Sequence, residues 1–198
     1  MEAQDKIEYL LFLPEELRSQ AAELYDEAFG KKFSLAIRSR KKRIALFEKC
    51  FMLDFAIAAI SGDTLVGLAG FHDQQGSLTG GVTHELLISE LGFLRGNWAA
   101  LVFLIYDRKP AEAELVMDGI VVSSEYRGQG IGGHLLEQLF DYAEEKTYEC
   151  IRLDVIDTNP RAKKLYQKKG FEVVKEETYP YLRWLLGFGG STIMQREL

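Results

Sequence analysis

The chain has 198 residues, 47% hydrophobic and 27% charged, a composition near the globular average that excludes disordered, collagenous and coiled-coil chains. Thirty acidic against 24 basic residues give a net charge of −6, the opposite of the footprint of a protein whose main partner is nucleic acid. At roughly 100 to 200 residues per domain, the length predicts a single domain with a full core. Cys50 and Cys150 stand in apolar stretches with no second Cys or His at metal-ligand spacing, which predicts no metal site and a reducing, cytoplasmic setting. Residues 1–6 carry three charges where an export signal needs an apolar run. No apolar run reaches the roughly 18 to 20 residues of a membrane span, so no membrane partner is expected.

In chain order, Ile7, Tyr9, Leu11 and Leu13 alternate before Pro14, predicting a strand that ends where a helix begins. Glu15 and Glu16 suit the positive end of that helix. Leu17, Ala21, Leu24, Tyr25 and Ala28 recur at helical spacing until Gly30, an expected C-terminal stop. A second helix is expected over residues 36–53, with Ile44, Phe47 and Phe51 on its inner face, and the basic run 38–43 reads as a solvated face. Residues 55–60 and 65–71, joined by Ser61-Gly62-Asp63-Thr64, predict a hairpin.

Beyond a loop over 76–81, residues 85–94 and 98–106 are apolar at helical spacing with Gly96 between them, predicting an inserted helical pair within 76–110. Its apolar residues, among them Leu86, Leu91, Phe93, Trp98, Leu101 and Leu104, exceed what a solvated pair needs. They pack on the domain, cover a substrate, or meet a second copy of the chain in a homodimer. Then follow a strand over 114–122, an amphipathic helix over 130–145, a strand over 150–156, a helix over 159–169 stopped by Gly170, a strand beginning over 171–174 and a last strand over 191–196. This order predicts an α/β chain with a mixed α+β sheet flanked by helices.

The segment Tyr126-Arg127-Gly128-Gln129-Gly130-Ile131-Gly132-Gly133 follows a strand and opens a helix. Glycines there let amide N–H groups turn toward one point, where a phosphate would also meet the positive helix end; each charge-assisted bond is worth about 1.5 to 3 kcal/mol. A glycine turn that merely permits tight packing is the alternative. The segment also satisfies G-x-G-x-x-G, but residues 123–127 separate it from the strand and a long stretch of mixed structure precedes it, unlike a dinucleotide-binding fold. The Lys-Ser/Thr ending of a P-loop is absent.

Arg127-Gly128-Gln129-Gly130-Ile131-Gly132 fits a Gln/Arg-x-x-Gly-x-Gly/Ala motif in full, and Asn159-Pro160-Arg161-Ala162, Leu165-Tyr166 and Gly170-Phe171 fit a second element in the same order. On these motifs the chain resembles the GNAT superfamily of N-acetyltransferases, over about 114–174. Residues 76–110 depart from the common pattern, in which the flanking strands are joined more directly. The resemblance implies the GNAT acyltransferase fold with a helical insertion before the cofactor-binding strand. It implies acetyl-CoA as cosubstrate and transfer of its acetyl group, by direct attack, to a primary amine of a small molecule or peptide. Residue by residue, backbone groups of Ile120, Val121 and Val122 would pair with the pantetheine arm. Arg127 belongs to the cofactor motif, and the amides of Gly128, Gln129, Gly130, Ile131, Gly132 and Gly133 would hold the pyrophosphate. Asn159 would hydrogen-bond the cofactor arm and Tyr166 would protonate the departing thiolate. Plain packing is the alternative for Val121, Val122 and Tyr166.

An alkylammonium of pKa near 10.4 costs about 4.6 kcal/mol to deprotonate at pH 7, so a carboxylate within reach of the amine is expected. Asp118, on the strand before the glycine loop, and Asp154, on the next strand, are the candidates, each otherwise a polar residue on a solvated face; Glu112 and Glu114 lie farther up the strand. His134 either touches phosphate or faces solvent. A Ser-His-Asp hydrolase is disfavoured because no G-x-S-x-G elbow occurs. A non-catalytic acyl-CoA-binding module that keeps the cofactor site is the other reading; the presence of Tyr166 and both carboxylates favours the enzyme.

Overall fold

The alternating and apolar runs form strands β1 (Glu8–Leu11), β2 (Ala56–Ser61), β3 (Thr64–His72), β4 (Glu114–Val122), β5 (Cys150–Ile156), β6 (Glu172–Thr178) and β7 (Gly190–Glu197). In the computed structural model, which describes residues 6–106, 109–179, 183 and 187–198, they join in one mixed sheet ordered β1-β2-β3-β4-β5-β7-β6. Strands β1 to β4 pair antiparallel, β5 runs parallel to β4, and β7 slots between β5 and β6, antiparallel to both. Every residue of β2 is buried, because helices cover both faces of the sheet. Phe29 of α1 (Arg18–Phe33) lies against Gly119, while Gly132 of α5 (Ile131–Glu145) lies toward Ile120 and Val122. Successive strand residues face opposite ways, so α1 and α5 sit on opposite faces.

Two glycines expected at helix boundaries instead sit inside helices. Helix α1 runs through Gly30 to Phe33. A Cβ at Gly30 would lie 2.7 Å from Asp26 Oδ1, and that carboxylate accepts from Arg43 Nε at 2.6 Å with its side chain only 2% exposed. Gly30 thus makes room for a buried ion pair. Arg43 also donates to the carbonyls of Ile37 and Arg38, so the basic run is not wholly a solvated face. Its last residue turns inward. Helix α2 (Arg40–Cys50) begins later than the periodicity suggests because Ser39 caps it, accepting from the Lys42 amide.

The insertion forms α3 (His84–Leu91) and α4 (Phe93–Tyr106), capped at the start by Thr83 and divided at Gly92, whose φ of +82° suits glycine. Gly96, expected between the helices, lies within α4, where a Cβ would meet Ile88 Cα and the Leu87 carbonyl oxygen at 2.8 Å. It permits backbone-to-backbone packing of the pair. A small second core of Ala36, Ile37, Leu46, Leu87, Leu91, Ala99 and Val102 ties the pair to α2. Phe93, Leu94, Trp98, Leu101 and Leu104 stay exposed. Helix α6 (Pro160–Lys168) follows β5. Among the described residues no helix is long and apolar enough to cross a membrane.

Candidate active site

Strand β5 pairs with β4 only from Glu114 to Met117. Beyond Met117, β4 continues along β3 to Val122 while β5 continues along β7 to Ile156. The strands part, and the β5 side of β4 over 118–122 has no neighbouring strand among the described residues. Backbone groups left this way need other partners. Ile120, Val121 and Val122 stand on this free edge, and the Val122 carbonyl accepts from Arg127 Nε at 3.1 Å, which folds the start of the glycine loop back onto the strand.

Gly128 and Gly130 have φ of +84° and +83°, the left-handed region that glycine enters without the Cβ penalty. Helix α5 starts next, and the Gly130 carbonyl accepts from the amides of Gly133 and His134. Among the described residues, the amides of Gly128, Gly130, Ile131 and Gly132 have no backbone acceptor. A Cβ on Gly128 would meet nothing within 4 Å, and one on Gly132 only the side chains of Val122 and Ile120, at 3.8 and 3.9 Å. The result is an open cradle of amides at a helix start, which fits a diphosphate. His134 lies to its side, its Nδ1 3.0 Å from Glu137 Oε2 and its ring 5.6 Å from that of Tyr9.

On α6, Asn159 is the N-cap, its Oδ1 accepting from the Ala162 amide at 3.2 Å, which leaves the side-chain amide nitrogen as its remaining donor. Tyr166 is buried, its ring centroid 5.8 Å from that of Phe171 in an edge-on contact. Burial pushes its phenol up to about 12, so it carries its proton at neutral pH.

Asp118 owes its direction to a β-bulge. Gly70 pairs with Gly119 and Phe71 with Met117, leaving Asp118 as the extra residue on β4. Strict alternation would place it with Ile120 and Val122 on the α5 side. The bulge turns it to the α1 side instead, where it lines a cavity of about 470 Å³ with Tyr25 and Lys32 of α1 and His72 of β3. Most of the remaining lining, including His84 and Phe103, comes from the insertion. Asp118 Oδ2 is closed off from solvent and accepts no hydrogen bond. Burial raises its pKa above the usual carboxylate range, against the opposing pull of His72 and Lys32. The phenol of Tyr25 is likewise raised, by burial and by the Asp118 charge.

Asp154 stands elsewhere. It lies on β5 with its Oδ1 3.5 Å from Arg152 Nε, and Arg152 also approaches Glu114, at 3.8 Å. Neither Asp154 nor Glu112 lines the cavity. Sequence reasoning missed the cavity wall of Tyr25, Lys32 and His72. It also missed the bulge, whose one visible signal was a glycine in each of two facing strands. Among the described residues no three His, Cys, Asp or Glu side chains cluster as metal ligands.

A family model described as Acetyltransferase (GNAT) family matches residues 16–171. Thialysine N-epsilon-acetyltransferase of Bos taurus is 37% identical over 62 residues, 31% of this chain and 36% of the relative. The chain spans about a third of the length of the curated relatives it matches. A GCN5-related N-acetyltransferase from Kribbella flavida superposes with a TM-score of 0.62 at 16% identity, covering 97% of this chain and 98% of that one. A Salmonella typhimurium protein solved with its cofactor acetyl-CoA gives 0.60 at 16% identity, over 97% and 94% of the two chains. These likenesses establish the fold expected from the motifs, a mixed sheet flanked by helices.

Proposed function

The chain belongs to the acetyltransferase (GNAT) family, and from that premise we propose that it moves the acetyl group of acetyl-CoA to a primary amine by direct attack. The observation that carries this reading is the behaviour of β4. On one side its free edge leads into the amide cradle; on the other its bulge sets the Asp118 carboxyl, whose Oδ2 accepts no hydrogen bond, against a cavity. Two substrates can therefore meet across a single strand. Residues 1–198 act as one domain in this reading, with the insertion as the acceptor wall, and the free thiols of Cys50 and Cys150 suit a reducing cytoplasm.

The free edge at Ile120, Val121 and Val122 pairs with the pantetheine arm, and the open amides of Gly128, Gly130, Ile131 and Gly132 hold the pyrophosphate, while the Gly133 amide, expected to join them, is engaged by the Gly130 carbonyl. Arg127 braces that loop against Val122. Asn159 donates to the arm from its free amide nitrogen. Bound there, acetyl-CoA supplies a thioester carbonyl with a thiolate as leaving group. Asp118 accepts one ammonium proton, directly or through water, and passes it to solvent. Tyr166 gives its proton to the sulfur as the C–N bond forms and the C–S bond breaks, and the second proton from nitrogen restores it. One proton is released per acetyl group transferred.

Calorimetric titration with acetyl-CoA tests the cradle. Wild type should bind, and folded Gly130→Asp should not, because a like charge then occupies the phosphate position. Unchanged affinity in the variant would remove this assignment. Coenzyme A release with a panel of amines tests the transfer; binding without amine-dependent release would favour the non-catalytic module.

A further inference from the structure

Tyr25 carries a polar group for which the fold supplies no partner. The residue is 5% exposed, and its ring is clamped by four others: Phe29 and Phe33 of α1 at centroid distances of 4.7 and 6.1 Å, and Phe47 and Phe51 in edge contacts at 5.1 and 5.3 Å. The ring is therefore fixed. Among the described residues its hydroxyl makes no hydrogen bond, although a buried tyrosine ordinarily finds a partner for its O–H. Tyr25 lines the same cavity as Asp118, and Phe29, which touches the Tyr25 ring, lies against Gly119, the residue after Asp118. One cavity thus holds two polar groups without internal partners, the Tyr25 hydroxyl and Asp118 Oδ2. Resting on the N-acetyltransferase reading, we propose that Tyr25 is a second acceptor-binding residue, its hydroxyl oxygen taking a hydrogen bond from the same amine nitrogen whose proton Asp118 accepts.

The nitrogen itself calls for such a group. An alkylammonium carries three N–H donors, of which Asp118 takes one. Out of water, each remaining N–H is costly without an acceptor, and a phenol oxygen provides one without adding a charge. Burial and the Asp118 charge hold the phenol above its ordinary pKa, so the hydroxyl stays neutral at pH 7 and does not compete with Asp118 as base. An oxygen on a clamped ring also limits how the nitrogen can turn, which favours the geometry of attack.

Tyr25→Phe keeps the ring and its contacts and removes only the hydroxyl. Primary amines of varied body, among them cadaverine, phenethylamine and L-lysine, are assayed by coenzyme A release. With those that wild type acetylates, the variant should lose about tenfold in kcat/KM, the equivalent of one hydrogen bond to a charged group, while acetyl-CoA affinity by calorimetry stays the same. Its urea midpoint should be equal to wild type or higher, because the hydroxyl removed has no internal partner; a structural hydroxyl would lower it. Combined with Asp118→Asn, the loss should be smaller than the product of the two single losses, since both groups hold one nitrogen. Wild-type kcat/KM in Tyr25→Phe, a lowered urea midpoint, or a double variant whose losses multiply would each overturn the assignment and leave N-acetyl transfer standing. Wild type that binds acetyl-CoA and acetylates no amine instead takes down the reading on which the proposal rests.

Discussion

Asp118→Asn keeps the shape of the side chain and removes the proposed proton acceptor. At pH 7 an alkyl amine lies about 3.4 pKa units below deprotonation, about 4.6 kcal/mol, and a positioned base typically contributes about 10²- to 10⁴-fold in rate. The variant should therefore lose about 10² to 10⁴ in kcat/KM at pH 7. The gap should narrow as the assay pH approaches 10, where the acceptor supplies its own neutral amine. Because burial outweighs the pull of His72 and Lys32, Asp118 titrates above the usual carboxylate range. The acidic limb of the wild-type profile should be displaced upward accordingly, and the variant should lack it. Stability supplies an independent readout. A carboxyl whose folded pKa exceeds its unfolded value contributes stability that is complete below the unfolded pKa and lost as pH rises through the folded one. At pH 7 the charge is a cost, so Asp118→Asn should melt higher than wild type, with the difference shrinking as pH falls through the raised folded pKa toward the ordinary carboxylate value and gone below it. A folded variant with wild-type kcat/KM at pH 7 would refute the assignment of Asp118 as base.

Tyr166→Phe should lower turnover about a hundredfold with acetyl-CoA affinity unchanged, since the ring keeps its contact with Phe171; wild-type turnover would leave Tyr166 as packing alone. Gly96→Ala gains about 1 kcal/mol of helix propensity but places a Cβ 2.8 Å from the α3 backbone, a clash costing about 1 to 3 kcal/mol. A lower urea midpoint is expected, and a higher one would refute the close packing of α3 on α4. Arg43→Met strands Asp26, whose side chain is 2% exposed, with Arg40 at 3.5 Å as its remaining ion-pair partner, at a cost of about 3 to 5 kcal/mol. The double change Asp26→Leu with Arg43→Met should recover most of that loss in the same urea titration, and failure to recover would mean that Arg43 acts through its carbonyl contacts.

What the sequence made legible was local. The β4 run, the glycine loop and the Asn159 cap depend on periodicity and on residue types within a few positions, and each appears where the pattern places it. What it hid depended on partners far away in the chain. Gly30 and Gly96 carry the same signature as a helix-stopping glycine; only the approach of Asp26 in one case and Leu87 and Ile88 in the other shows that they are spacers. Asp118 and Asp154 look equivalent as strand carboxylates. They are separated by the register between β3 and β4, which creates the bulge, and by Arg152, two residues before Asp154, which engages it. The passage of β7 between β5 and β6 is equally non-local, since chain order alone would set β6 beside β5.

The division of labour around β4 follows from that register. The cradle at the start of α5 and the free strand edge are built from the main core, whereas α3 and α4 rest largely on a second cluster shared with α2. Side chains such as Phe103 pack on both clusters and join them. Under the proposed function, substitutions that reshape the insertion should therefore act on the acceptor cavity while leaving the amide geometry at Gly128 and Gly130 in place. On that proposal, an insertion with its own core is a way to alter which amine is accepted without disturbing the strand that carries Asp118.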